Sequence, residues 1–491
     1  MVATLGVPGS AGVSVGGGIG DCEGMDGGRL IDVATGEWAP ATLTHDLSGR
    51  FRLSLPTNRS SASPPHMSLE IIRDPLWNNI RLDPLAFELI DTPAFQRLRY
   101  VRQLGLAFLV YPGATHSRFE HALGTYHLAR RTLTLFGEHP DFSDVGSDEC
   151  QVTRVAALLH DIGHYPFSHA LEEIGALNHE EVARPLICDG EVAGVLRREL
   201  GANAPERVVE LIRGKSGSPL QGLISGSIDL DKLDYLRRDA FMCGVSYGEI
   251  DVDRLINALS LVRDPDTNQL AVGMVEKGLS ALESLLFAKY QMYRNVYWHH
   301  AARSATAMYK RLVGDALDAG ALDARTLAAF TDEGILYDLG QRAPSPLLRA
   351  IRERRLYKRA FEAAAADLDP DAGEWIADDR ALTMAVENAL AREAGLRPGE
   401  LLLDYPVKTQ MLGLDLLVQR PDGEVRRVTA AGWEGAINLP KISEEFYRSA
   451  RWLRVYTATR VALNPAAVLR LAARSAPEVR QLLAAGASLL S

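Results

Sequence analysis

Cysteine is nearly absent: Cys22, Cys150, Cys188 and Cys243 are the only four in 491 residues, and no two of them form a CxxC pair. That excludes a disulfide framework and fits a reducing, cytoplasmic setting. No apolar run approaches the roughly 18–20 residues of a membrane span, so no membrane partner is expected. A basic segment ahead of an apolar core is missing from the N-terminus, so no signal peptide is read. Excess positive charge is missing too, with net charge −10 and pI near 5.7. An acidic chain argues against generic nucleic-acid binding, although the local basic patch Arg97, Arg99 and Arg102 keeps it as a secondary reading. A small polyanionic substrate stays compatible where a basic cluster or a metal offsets repulsion. Hydrophobic content of 47% and charged content of 24% are those of an ordinary globular protein with a sizeable core.

Along the chain no internal repeat is evident. Residues 1–66 are rich in Gly, Ser, Thr and Pro, and read as a flexible leader, from an overcalled start or a cloning scar at His66-Met67. Gly16, Gly17, Gly18 and Gly20 are ingredients of a phosphate loop, but no clear strand precedes them and no helix pattern follows. Apolar spacing predicts helices from Pro84, broken near Pro93, and over 118–136, 151–160, 205–214, 229–240 and 275–317. Residues 345–398 read as helical and rich in Ala, Arg and Glu. Strand patterns recur only after about 400, at 401–407, 414–418 with 426–428 around Pro421-Asp422-Gly423, and 452–459. The expected fold is mainly α with a smaller α+β C-terminal part. The expected divisions are 1–66, a core over 67–320, a helical extension over 321–400 and a C-terminal region over 401–491.

Histidine is also scarce, yet three of the 12 fall within ten residues, in His160-Asp161-Ile162-Gly163-His164 and Phe167-Ser168-His169. A histidine beside an aspartate offers a neutral nitrogen and an anionic oxygen at one point of the backbone, which suits a divalent metal. His121, His160, Asp161 and Asp231 make a candidate site. Two imidazoles and two carboxylates balance a divalent charge and accept Mg, Mn, Fe, Co, Ni or Zn. Such a metal lowers the pKa of water and polarises phosphorus. Spacing alone leaves each histidine equally readable as a core or surface residue. His164 falls one helical turn after His160, on the same face, within reach of the same substrate.

These words resemble the HD-domain metal phosphohydrolases, and within them the deoxynucleoside triphosphate triphosphohydrolases. The resemblance is carried by Ile90 to Arg99, Gln103-Leu104-Gly105, Tyr111 to His121, His160 to His169, and Asp229 to Asp239, and spans roughly residues 70–310. It implies a helical core with His121, His160, Asp161 and Asp231 as metal ligands. It implies His164 as proton donor, with Glu172 and His179 behind it as a relay. A carboxylate holding an imidazole edge would fix its tautomer and raise its pKa. The alternative for Glu172 and His179 is an exposed helix face.

The same resemblance gives Arg118, His169, Lys232 and Tyr235 phosphate contacts, for which surface charge is the alternative. It gives Gln103, Leu104 and Asp239 a deoxyribose pocket. Tyr297 would stack near base and sugar, or simply pack in the core. Lys289 stands where many relatives carry arginine, so the charge is kept and the bidentate fork is not. Asp91, Gln96 and Arg99 match residues with which some relatives read an activating nucleotide such as dGTP, and an ordinary amphipathic helix is the other reading. Relatives are commonly homo-oligomers. The function implied is hydrolysis of a dNTP to a deoxynucleoside and triphosphate. The alternatives are an HD phosphohydrolase for another phosphate ester, or a nucleotide- or nucleic-acid-binding scaffold.

Overall fold

The computed structural model describes residues 29–31, 38–40, 42–45, 51–54, 70–407, 415–428, 432–434 and 436–490. The chain divides into two compact units, Met1–Met67 and Ser68–Ser491. In the first, β1 (Arg29–Ile31) pairs antiparallel with β2 (Trp38–Pro40), and β3 (Thr42–His45) with β4 (Phe51–Ser54). The glycine run at 16–20 and the His66-Met67 junction, on which the flexible-leader expectation rests, lie outside the described residues.

The second unit is mainly helical. It opens on a hairpin of β5 (Glu70–Asp74) and β6 (Asn78–Leu82), then α1 (Pro84–Asp91), started by Asp83, whose side chain accepts from Ala86 N at 2.9 Å. Its chief helices around the site are α2 (Arg118–Phe136), α3 (Ser147–Leu159), α4 (His179–Cys188) and α5 (Leu230–Cys243). They pack through one core, to which α3 contributes the stripe Val152, Val155, Ala156 and Leu159. Two close approaches there require glycine. A Cβ on Gly124 of α2 would overlap the Asp234 carboxylate of α5, and one on Gly163 would overlap the backbone of His179 and Ala183 at the start of α4.

Four expectations are corrected. The strand patterns do not wait until residue 400: β7 (Leu259–Arg263) and β8 (Leu270–Val275) form an antiparallel hairpin. The helix read over 275–317 is two helices, α6 (Leu279–Met292) and α7 (His300–Asp318). They are separated by a wide turn in which Trp298 N donates to Tyr293 O at 2.8 Å, and His299 Nδ1 then caps α7. The segment read as helical over 345–398 contains β9 (Lys358–Ala364). Its Ala- and Glu-rich composition is overridden by pairing with a distant strand. Lastly, α3 ends at Leu159, so His164 is not one turn along the same helix from His160.

The later segments are interwoven with the earlier ones. α8 (Asp332–Arg342) packs with α7 around a second core that also takes Tyr165, Phe167 and Leu171. β10 (Leu401–Asp404), β11 (Leu417–Gln419), β12 (Val425–Arg427) and β13 (Trp452–Thr457) enter two sheets, ordered β10-β13-β9 and β12-β11-β8-β7. Among the described residues no helix is long and apolar enough to cross a membrane.

Candidate metal centre and active site

His121 projects from the first turn of α2, whose start is set by a capping box in which Ser117 N donates to Glu120 Oε2 at 2.8 Å. His160 and Asp161 follow directly on α3. Asp231 lies in the first turn of α5, where the Asp229 carboxylate accepts from Lys232 N at 2.9 Å. His121 Nε2 is 3.1 Å from His160 Nε2, 2.9 Å from Asp231 Oδ1 and 3.5 Å from Asp161 Oδ2. His160 Nε2 is 3.5 Å from Asp161 Oδ1 and 3.6 Å from Asp231 Oδ1. Donor atoms about 2.1 Å from one ion stand about 3.0–3.4 Å apart at octahedral or tetrahedral angles.

Both imidazoles are held in the tautomer a metal needs. His160 Nδ1 faces Ala157 O at 2.9 Å and His121 Nδ1 faces Asp234 Oδ2 at 2.8 Å, which leaves both Nε2 atoms as acceptors. Two nitrogen acceptors at 3.1 Å call for a positive charge beside them. Burial alone would depress His121, but hydrogen bonds to Asp231 and Asp234 and the charge of Asp161 raise it to about 10, so the acidic surroundings favour a positive charge at Nε2, which either a proton or a cation in its place supplies. Burial would raise Asp161, yet Arg118, His160 and His164 hold its carboxyl well below the usual range. The donor set therefore fits a divalent cation: His121, His160 and Asp231 cluster as ligands, and Asp161 adjoins them while also accepting from Arg118 Nη1 at 2.6 Å.

His164 is placed by the turn after α3. It is buried, its Nε2 is 3.0 Å from Asp161 Oδ1, and its Nδ1 has no partner. Burial, with Arg118 and His179, pushes it well below its ordinary pKa, the opposite of the raised value expected for a proton donor. The relay is also arranged differently from the expectation. Glu172 accepts at 2.9 Å from His179 Nδ1 and stands 3.4 Å from His169 Nδ1, while His164 only stacks on His179, with centroids 4.0 Å apart. Burial would raise Glu172, but its bonds to His169 and His179 keep it ionised. The His169 side chain is 58% exposed, so of the histidines near Glu172 it is the one open to a substrate.

A cavity of about 740 Å³ opens on this centre. His160, Asp161, Asp231 and His164 line it together with His169, Glu172 and His179. So do Gln103, Leu104, Arg118, Tyr235, Asp239 and Tyr297. Tyr297 donates to Asp239 Oδ2 at 2.7 Å, and His116 Nε2 bonds Asp239 Oδ1 at 2.7 Å. Tyr297 is thus tied to the site rather than to core packing alone. Lys232 and Lys289 are not among the lining residues: Lys232 bonds Asp229 and Gly226 O. Lys289 is buried, and burial followed by the charge of Lys232 lowers it to about 8. Asp91, Gln96 and Arg99 lie off the cavity: Arg99 Nε donates to Gln96 Oε1 at 2.8 Å, and its guanidinium covers the Phe119 ring. Of the basic patch only Arg99 is exposed. Arg97 reaches His164 O and Phe330 O, and Arg102 pairs with Asp332.

Residues without an assigned role in the sequence reading complete the site. Asp234, fully buried, orients His121 and is itself held by Trp77 Nε1 at 2.5 Å and Arg238 Nε at 2.8 Å. Its place in the Asp229–Asp239 word was the available signal. His116 was likewise inside a matching word. Asp332 carried no such signal.

A model of the HD domain matches residues 118–239, and a model of the HD associated region matches 250–458. The chain therefore carries an HD domain followed by an HD associated region. The HD motif is the His160-Asp161 pair around which the centre is built. The chain is 36% identical over 303 residues to the protein MJ1154 of Methanocaldococcus jannaschii, covering 62% of each chain. It is 38% identical over 248 residues to YwfO of Bacillus subtilis, covering 50% of this chain and 55% of that one. To the human deoxynucleoside triphosphate triphosphohydrolase SAMHD1 it is 29% identical over 270 residues, 47% of this chain and 42% of that one. The chain thus spans 62% and 55% of the first two relatives' length. A solved structure from Aquifex aeolicus superposes with TM-score 0.61 at 27% identity, covering 86% of this chain and 100% of that one.

Proposed function

We propose that the chain hydrolyses deoxynucleoside triphosphates to deoxynucleoside and inorganic triphosphate. The observation that carries this reading is the shared cavity, in which the metal-binding pair His160-Asp161 stands with Gln103, Leu104, Tyr235, Asp239 and Tyr297. The divalent metal, when bound by His121, His160, Asp161 and Asp231, lowers the pKa of water and draws charge from the phosphorus. Asp239, oriented by His116 and Tyr297, keeps a lone pair on each oxygen for a sugar 3′-hydroxyl. Tyr235 and Tyr297 supply aromatic faces for sugar and base. Arg118 and, behind the wall, Lys232 and Lys289 offset the triphosphate charge. His169, with Nδ1 toward Glu172, has Nε2 free to protonate the departing 5′-oxygen, and His164 instead buttresses Asp161 and His179.

An activating nucleotide at Asp91, Gln96 and Arg99 and a homo-oligomeric state belong to the same proposal and rest on the resemblance alone, and a cytoplasmic location rests on the scarcity of cysteine. One observation favours a second reading, a phosphomonoester or phosphodiester substrate: Arg118 and Lys232 are already bonded to Asp161 and Asp229. Incubation with each of the four dNTPs, with and without dGTP as activator, decides between them. Release of triphosphate supports the first. Turnover of nucleoside monophosphates or cyclic dinucleotides in place of dNTPs supports the second.

A further inference from the structure

Two segments of the active site, the loop carrying Gln103-Leu104 and the turn carrying His169, are held by one side chain from a third. We propose that Asp332, on the first turn of α8 in the HD associated region, is a positioning residue that locks these two segments in register. The proposal rests on the reading above, in which Gln103 and Leu104 receive the sugar and His169 donates the proton.

Asp332 is 1% exposed. Its Oδ1 accepts from Phe167 N at 2.7 Å, and its Oδ2 accepts from Arg102 N at 3.0 Å and Arg102 Nη1 at 3.4 Å. The clamped turn is a strained one. Phe167 and Ser168 have φ of 57° and 62°, a left-handed conformation that side-chain-bearing residues adopt only when their surroundings impose it. Ser168 then closes the same junction from the other side, with Oγ donating to Arg102 O at 2.7 Å and within 2.9 Å of Gln103 O, while Arg118 Nε donates to Ser168 Oγ at 3.1 Å. Arg97 adds a second tie at the same junction, donating to Phe330 O, just ahead of α8, at 3.0 Å and to His164 O at 2.5 Å.

The partners of Asp332 distinguish positioning from general stabilisation. An ion pair could hold α8 to the core through Arg102 alone. Here both carboxylate oxygens accept backbone N–H groups, each next to a cavity-lining residue or its turn. Burial of this carboxylate is costly, and it pushes Asp332 up to about 6. The cost falls on the fold, and the gain falls on the geometry of the site.

The test compares the full chain with D332N and R102M. Asparagine keeps the shape but presents one oxygen and an NH₂, so one of the two backbone N–H groups meets a donor. In D332N, hydrogen exchange at the amides of Arg102 and Phe167 should quicken by about tenfold or more, with metal content unchanged. The kcat for dGTP should fall by about tenfold or more while KM moves little, because misplacement acts on the reacting geometry. R102M removes the ion pair but keeps both backbone bonds, and should stay within about twofold of the parent. Should D332N not accumulate as folded protein, R97M probes the same junction, and faster exchange over 164–169 with lowered kcat is expected. Unchanged exchange at Arg102 and Phe167 in a folded D332N, or unchanged exchange over 164–169 in R97M, overturns the proposal whatever the substrate. A parent chain that turns over no dNTP sinks the dNTP reading instead, and the exchange measurement still decides this one.

Discussion

Asp234 Oδ2 stands 2.8 Å from Nδ1 of His121, and that contact decides which imidazole nitrogen faces the metal. Asp234 is in turn clamped by Trp77 and by Arg238, which also bonds Asp74, so the ligand's orientation is fixed through α5 and the β5–β6 hairpin. Removing the acceptor should loosen the ring without removing a ligand. Asp234→Asn is expected to weaken metal affinity by roughly 10–100-fold, measured by competition with a chelator. An unchanged affinity would mean that the His121 tautomer is set elsewhere.

Removing two ligands at once is a harsher perturbation. The His160→Ala, Asp161→Ala double variant should lose bound metal by elemental analysis, and its turnover should fall by more than about a thousandfold. It should also lose the carboxylate that accepts from Arg118 and His164, so a modest drop in melting temperature is expected. Undiminished turnover would refute the metal assignment.

The two histidines beside Glu172 and Asp161 separate by their readouts. His169→Ala should cut kcat by roughly 10²–10⁴ with metal content untouched, because only a proton donor is lost. His164→Ala acts through Asp161, so its deficit should appear in metal retention. Equal metal loss in both variants would contradict the division of roles.

Two buried groups give pH dependence of opposite kinds. Asp332 is raised from 3.8 to about 6, so between these values the folded chain binds more protons than the unfolded one. Stability from this group therefore falls as pH rises from about 4 to about 6, and D332N should flatten that part of the melting-temperature profile. Arg97, Arg102, Glu333 and Tyr309 face the carboxylate and set the midpoint. Lys289 is lowered from 10.5 to about 8 by burial and by Lys232, so its charge is lost as pH rises through about 8. The KM for a triphosphate should climb there, and Lys289→Arg should remove the climb. A KM flat from pH 7 to 9 in the parent would take Lys289 out of phosphate binding.

Much of this site was legible in the sequence because its parts lie in contiguous words. His160-Asp161 is local, and His121 and Asp231 each sit in a helix's first turn, after Ser117 and Asp229 caps that were there to be read. The different placement of His164, buried, and His169, exposed, was not legible, since it depends on α3 ending at Leu159 and on a left-handed turn at Phe167-Ser168. The segment from His164 to Phe167 is bonded by Arg97 and Asp332 across more than 60 residues of chain. For the same reason the strand Lys358–Ala364 was hidden: its partner, Trp452–Thr457, lies about ninety residues on, and local composition favours helix. The hairpin Leu259–Val275 is completed by a parallel partner at Leu417–Gln419, again beyond any local pattern.

The products formed from dGTP report directly which bond of the triphosphate ester is cleaved. The purified chain, loaded with Mn²⁺ and given dGTP, should release deoxyguanosine and inorganic triphosphate in equal amounts, resolved by ion-exchange chromatography. Deoxyguanosine diphosphate with orthophosphate, or deoxyguanosine monophosphate with pyrophosphate, would contradict it.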